Sequence, residues 1–481
     1  MLVKNSFEYD ARVTKEARTL LDEGHTVHVV AILVPGVTPE HEVREDGIEV
    51  HRVSRVNFGV DKLNRLAGQA AGAVEDRRVR LTGDEYDEDA VADLGNLGVD
   101  STATPGASQR EPRAVPTAPS DAPRPSPVQR VWGTVSSAVL RWAMALGGFA
   151  FKVVKAVMGR QGQGLKHYAI NQRFIAKAVS LEPGVVHCHD LNTLWAGRQV
   201  KDATGAKLVY DSHEMATARN RMTTGWRMWC EHFEKAGMPD VDEVIMASPG
   251  YADVARERYG RESTVIVNVP EPQELTGTRD LREVTEVQDG HTLLLYQGSI
   301  QENRGIEQVI DAVELLNQRI AEDPGSAEGD GVSFVVVGYG YHRPTLERQV
   351  KQRGMTDVVK FFGPVPNPEL VDWSSSADIG MCNIVGTSPS YRESLPNKFF
   401  EYVMGGIPVV VSDFGSMGRI CEEQGVGVTC DPTDPVALAD AVERLRDPER
   451  YERCRANTPT MAATYNWDVE QRKLVELYER L

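Results

Sequence analysis

The chain has 481 residues, 41% of them hydrophobic, which is too long for one core and predicts two domains. Its 70 acidic against 53 basic side chains leave a formal net charge of −17, which excludes nucleic acid as a general partner because no basic excess is available for phosphates. The six cysteines are scattered without a Cys-x-x-Cys pair, as expected of reduced structural thiols in a cytoplasmic protein, and argue against zinc. Polar residues follow Met1-Leu2-Val3 at once, so no secretory leader is expected, and no apolar run reaches the ~18 residues of a membrane-spanning helix.

In chain order, a three-residue strand at Met1–Val3 leads into the loop NSFEYDAR, a helix Ala11–Asp22 and a buried strand Val27–Leu33, a β-α-β unit of a parallel sheet. So short a first strand suggests that the chain starts upstream of Met1. Asp10 fits the helix N-cap as well as it fits a ligand-facing loop at a strand end. Gly47–Val53 is a third strand. Residues 84–130 combine an acidic cluster with a segment holding seven prolines from Pro105 to Pro127, and are expected to be a disordered insertion. In 131–160 the residues Trp132, Val135, Val139, Trp142, Leu146, Phe149, Val153 and Val157 form one helical stripe with Arg141, Lys152 and Lys155 off it. That basic amphipathic pattern suits an anionic membrane surface, and equally a helix packed on the first sheet.

Regular α/β structure resumes with a helix near Lys166–Leu181 and the strand Val185–Cys188, which ends in His187, His189 and Asp190. The strand LVYDSHE carries Asp211, His213 and Glu214 at its end. Two strand ends bearing His and Asp on one rim form the pattern of an active-site edge. Asp242–Ser248 and Ser263–Pro270 are further strands, and polar residues 271–290 make a linker. The second domain repeats strand, glycine turn and helix. TLLLYQ ends at Gly298-Ser299 before Arg304 and a helix Ile306–Ile320, and SFVVV ends at Gly338 and Gly340. Glycine at such junctions lets backbone approach a phosphate or base. The third glycine of a dinucleotide fingerprint is missing, which argues against NAD.

Ser390–Asp413 then reads as loop, helix and buried strand. Glu393 and Glu401 have seven residues between them, and Pro396 suits a helix start. The free N–H groups and dipole there attract an anion, and Lys398 adds a positive charge. A carboxylate on each side suits a ligand that is part phosphate and part polyol. A surface helix with two solvated acids is the alternative.

Glu393-x7-Glu401, with NSF-x-x-D-A-R-V-x-K-E-A and GHTVHVVA in the first half, resembles the retaining GT-B glycosyltransferases of family 4. The resemblance implies two Rossmann-like domains facing a central cleft: residues 1–270, then, beyond the linker, 291–463, with a last helix over 464–481 packing back toward the first. It implies a nucleotide-diphosphate sugar, UDP- or GDP-linked, held mainly by the second domain without metal. Glu401 would hold the ribose and Glu393 the sugar hydroxyls. The segment Leu395, Pro396 and Asn397, with Arg304 and Lys398, would neutralise the diphosphate, while Gly363 and Val365 would line the base pocket. His213 would stand near the reacting centre, and Asp10, Arg12, His189 and Asp190 would take the acceptor. This chain departs from the family where Gly298-Ser299 lacks the usual arginine and Arg304 replaces the usual lysine. The implied function is sugar transfer to a lipid-linked or cell-envelope glycan by a cytoplasmic protein, with peripheral attachment to the inner membrane face. A nucleotide-sugar epimerase and a non-catalytic nucleotide-sugar-binding protein are the alternatives.

Overall fold

A computed structural model describes residues 1–8, 10–55, 167–218 and 222–481. The expected insertion at 84–130 and basic helix at 131–160 lie outside these residues. Residues 1–55 and 171–481 belong to one compact unit.

The first sheet is built from β1 (His28–Leu33), β2 (His41–Val43), β3 (Glu49–Ser54), β4 (Val185–His189), β5 (Lys207–Ser212), β6 (Glu243–Met246) and β7 (Thr264–Val265). Its orders β1-β3-β2 and β4-β5-β6-β7 are joined by the chain start, because Leu2 bridges Val30 on one side and Cys188 on the other. The expected three-residue strand at Met1–Val3 is therefore a single central bridge at Leu2. Its N–H donates to the His187 carbonyl at 2.8 Å and its carbonyl accepts from His189 N–H at 3.1 Å. All pairings are parallel except β2 with β3, an antiparallel edge that the sequence reading missed because HEV is short and polar.

Helix α1 (Ala11–Asp22) follows that first segment, with Asp10 as N-cap accepting from Val13 N–H. Val13, Ala17 and Leu20 recur at helical spacing and are buried against the sheet. The strand expected over Ser263–Pro270 shrinks to the two residues of β7. Beyond it, Ile266, Val267 and Val269 are buried in extended chain, several of whose polar groups bond to side chains. Arg12 donates to the Ile266 carbonyl, Val267 N–H donates to Glu470, and Lys15 donates to the Val269 carbonyl.

The second sheet contains β8 (His291–Gln297), β9 (Gly331–Val337), β10 (Val359–Phe362), β11 (Ile379–Cys382), β12 (Val409–Ser412) and β13 (Gly427–Cys430). All its pairings are parallel, in the order β10-β9-β8-β11-β12-β13. Strand direction of winding reverses between β8 and β11, and such a switch point opens a crevice at the carboxyl ends of the strands.

The final helix, Trp467–Glu479, lies against the first half of the chain. Trp467 Nε1 donates to Thr19 Oγ1 at 3.1 Å, Tyr478 Oη is 2.9 Å from His187 Nδ1, and Arg480 pairs with Glu243. Trp467 is 3% exposed, so Trp467→Ala removes a buried aromatic ring at this junction. The variant should lose about 3–5 kcal/mol of stability, read as a lower urea midpoint.

Candidate active site

The carboxyl-terminal wall is centred on α2, the helix Asn397–Met404. Pro396 (φ −74°, ψ 143°) is its N-cap and supplies no side-chain acceptor, so the first-turn N–H groups lack a side-chain cap. Gly405 closes the helix as C-cap, followed by Gly406 at φ 78°. Glu401, one turn in, is half-buried and accepts from Gln297 Nε2. Gln297 at the end of β8 is a residue that the sequence reading missed. Its Oε1 accepts from Ser374 Oγ at 2.7 Å, which fixes the amide so that Nε2 must point at Glu401. Burial raises the Glu401 carboxyl above its ordinary range, against the pull of Gln297, Lys15 and Lys398.

Lys398 is buried, with its ammonium 3.4 Å from the centroid of the Tyr296 ring. Burial brings it down to about 7, and Arg304 pushes in the same direction. The Arg304 guanidinium lies 5.2 Å from the Tyr391 ring centroid, and its buried Nε has no hydrogen-bond partner among the described residues. The glycines divide into two kinds. A Cβ on Gly338 would lie 2.0 Å from the Gly298 carbonyl, and one on Gly340 would lie 2.0 Å from the Ile300 carbonyl, so both allow two strand-end loops to pack together. Gly298 itself (φ 120°) and Gly363 have open space at that position, and Val365 is half-buried. Ser299 uses its carbonyl to accept from Tyr296 Oη at 2.8 Å.

Glu393 lies elsewhere. Its Oε2 accepts from Ser416 Oγ at 3.2 Å, and a Cβ on Gly250 would come within 2.0 Å of the same oxygen. Gly250 is the second residue of the helix Pro249–Tyr259 of the first half, where Tyr251 Oη also donates to the Ser390 carbonyl at 2.9 Å. The two acids of the motif therefore share no hydrogen-bond partner among the described residues. Glu393 occupies a contact between the halves, while Glu401 faces the end of β8.

The opposite wall is a buried charge cluster. Arg12 is 3% exposed and forks onto Asp211, with Nε to Oδ2 at 3.1 Å and Nη2 to Oδ1 at 2.9 Å. It also lies 3.0 Å from Glu16 Oε1. Two side chains expected on the acceptor side have partners inside the protein. Arg12 turns into the core, where Asp211 and the Ile266 carbonyl engage it. Asp10 spends both carboxylate oxygens locally, accepting from Val13 N–H at 3.1 Å and Asn5 Nδ2 at 2.7 Å. His189 is buried and stacked on His187, with centroids 4.4 Å apart, and its Nδ1 lies 3.2 Å from His213 Nε2. Asp190, at φ 63°, accepts from His213 N–H at 3.1 Å. His213 Nε2 stands 3.2 Å from Asp211 Oδ2.

This arrangement sets the protonation states. Burial opposes a charge on His213, but Asp190 and Asp211 outweigh it and raise the imidazole to about 9. Burial would raise Asp211, but Arg12 and His213 hold it well below the carboxylate range. Glu16, buried beside Asp211, is raised to about 8. His189 is lowered well below its ordinary value by burial and by His187. Glu16, His187, His189 and Asp211 form a donor set of metal-binding type, yet the Arg12 guanidinium already supplies a cation to both carboxylates. Lys15 connects the walls. Its amine bonds Asn268 Oδ1 at 3.0 Å, is lowered to about 8 chiefly by burial, and attracts Glu401 from across the cleft.

The family model for group 1 glycosyl transferases matches residues 278–461, and that for the glycosyl transferase 4-like domain matches 88–271. The chain belongs to the GT-B glycosyltransferases of family 4 and is a glycosyltransferase. It is 27% identical over 322 residues to a D-inositol 3-phosphate glycosyltransferase of Thermomonospora curvata, covering 62% of this chain and 72% of the relative. Its fold is similar to that of sucrose-phosphate synthase from Thermosynechococcus elongatus, with TM-score 0.59 and 16% identity over 98% of this chain and 92% of the other. It is also similar to Anabaena Alr3699/HepE in complex with UDP-glucose, with TM-score 0.53 and 16% identity over 64% of this chain and 82% of the other.

The raised value of His213 predicts a measurable titration. By NMR its imidazole should titrate near pH 9, and Asp190→Asn should bring it back toward 6.5. Since the folded value lies above the unfolded one, the imidazolium stabilises the fold below pH 6.5, and that contribution is lost as pH rises through about 9. His213→Gln should remove this slope from the pH dependence of the urea midpoint.

Proposed function

We propose that the enzyme transfers a sugar from a UDP-sugar to a hydroxyl acceptor with retention of configuration and without a catalytic metal. The observation that carries this reading is the pairing of Glu401 with Gln297 at the carboxyl end of β8, beside the uncapped start of α2. A carboxylate there suits ribose hydroxyls, and the first-turn amides suit a diphosphate. Lys398, near 7, would be drawn to its charged form by that diphosphate, with Arg304 as the second cation. As an imidazolium, His213 would donate to the donor sugar instead of acting as a base. The UDP-glucose bound to the Anabaena protein supports the choice of nucleotide.

Glu401→Gln should lower kcat/KM about tenfold to a hundredfold, the scale of one charge-assisted hydrogen bond. Wild-type turnover by that variant on a UDP-sugar panel would refute the assignment. Product NMR should show the donor's anomeric configuration kept, in buffer without added Mg2+ or Mn2+.

For the acceptor we infer a lipid-linked or cell-envelope glycan, supported by the stretch from Ala122 to Leu181, which contains no Asp or Glu but several Trp, Lys and Arg residues. Deleting residues 131–160 should abolish pelleting with anionic liposomes. Unchanged pelleting would remove the membrane part of this reading.

A further inference from the structure

A second cluster of ligating side chains lies at the antiparallel edge of the first sheet, and strand register creates it. On β3, Glu49 and His51 are two residues apart and so share a face. His28 of β1 is the direct partner of Glu49, and His41 of β2 is the direct partner of His51. Three imidazoles thus converge on one carboxylate from three strands.

The distances are short and nearly equal. His28 Nδ1 is 3.3 Å from His51 Nε2 and 3.2 Å from Glu49 Oε2, while His51 Nε2 is 3.3 Å from Glu49 Oε1. Tetrahedral zinc with ligands at ~2.0–2.1 Å needs neighbouring donor atoms about 3.3–3.4 Å apart. His41 Nε2 lies 2.8 Å from Glu49 Oε1, and its ring stacks on His51 with centroids 4.8 Å apart. It holds the carboxylate from outside, as orienting groups around metal ligands do.

We propose that His28, Glu49 and His51 bind one divalent transition-metal ion of the zinc class, with His41 orienting the carboxylate. The site would be structural, tying the β2 edge and β3 to β1, and separate from sugar transfer. Two features distinguish it from the buried donor set around Glu16. There, Arg12 already neutralises both carboxylates. Here, among the described residues, no guanidinium or ammonium hydrogen-bonds Glu49, and Lys177 is the cation that acts on His51 from the adjoining helix. The side chains of His28 and Glu49 are 27% and 33% exposed, so an ion has a way in. Imidazole and carboxylate together suit zinc and its neighbours in the first transition row better than calcium or magnesium.

The test is metal content and calorimetry on the full chain, stripped with chelator and then titrated with Zn2+. One equivalent should bind and raise Tm. Glu49→Gln keeps the shape but removes the anionic ligand, and His28→Ala removes a half-exposed one. Each should weaken binding more than about a hundredfold, beyond the roughly ten- to hundredfold that the loss of an outer orienting group usually costs. Circular dichroism checks that both variants remain folded. Absence of bound Zn2+ in the wild type, or binding of equal strength in both folded variants, would overturn the proposal.

Discussion

The buried pair of Arg12 and Asp211 is the constraint on which the first half of the molecule depends. It joins the helix after the first strand to the end of β5, and through the Ile266 carbonyl it reaches the segment that leads out of the sheet. Both groups are nearly or fully buried, so neither has water to fall back on. Removing one partner of such a pair strands the other charge at a cost of about 3–5 kcal/mol. The pair also sets the chemistry of the rim. With Arg12 holding Asp211 ionised, the carboxylate shares its remaining field with His213, which stays charged, while the deeper His187 and His189 stay neutral.

The two halves are connected by side chains more than by sheet. In the extended residues after β7, the Ile266 and Val269 carbonyls and the Val267 N–H bond to Arg12, Lys15 and Glu470, which come from α1 and the last helix. The final helix therefore closes the polar accounts of a segment that the sheet leaves open. The contacts of Glu393 with Ser416 and of Tyr251 with Ser390 stand on the other side, where the halves meet near the motif itself.

Much of the fold was legible because parallel strands buried on both faces read as apolar runs, and glycine or proline marks their ends. Helix α1 and the second sheet follow that pattern. The errors came from places where tertiary partners replace local signals. The first strand has too few residues to signal a central position, and Ser263–Pro270 has a strand's composition but side-chain partners. The edge strand β2 is too short and polar to signal itself. Gln297 carries no motif, and its importance arises only when Ser374 fixes its amide against Glu401.

By itself the sequence determined the class of fold, the glycosyltransferase family and the residues that cluster at strand ends, since periodicity and the Glu393–Glu401 spacing are local properties. Tertiary structure decided what those residues do. Arg12, expected near an acceptor, is bonded to Asp211 in the core, and Asp10, expected either as a helix N-cap or at a ligand, caps α1, because buried charges and helix ends need partners. Histidines scattered from His28 to His51 became one cluster only through the register of three strands, which no linear spacing encodes.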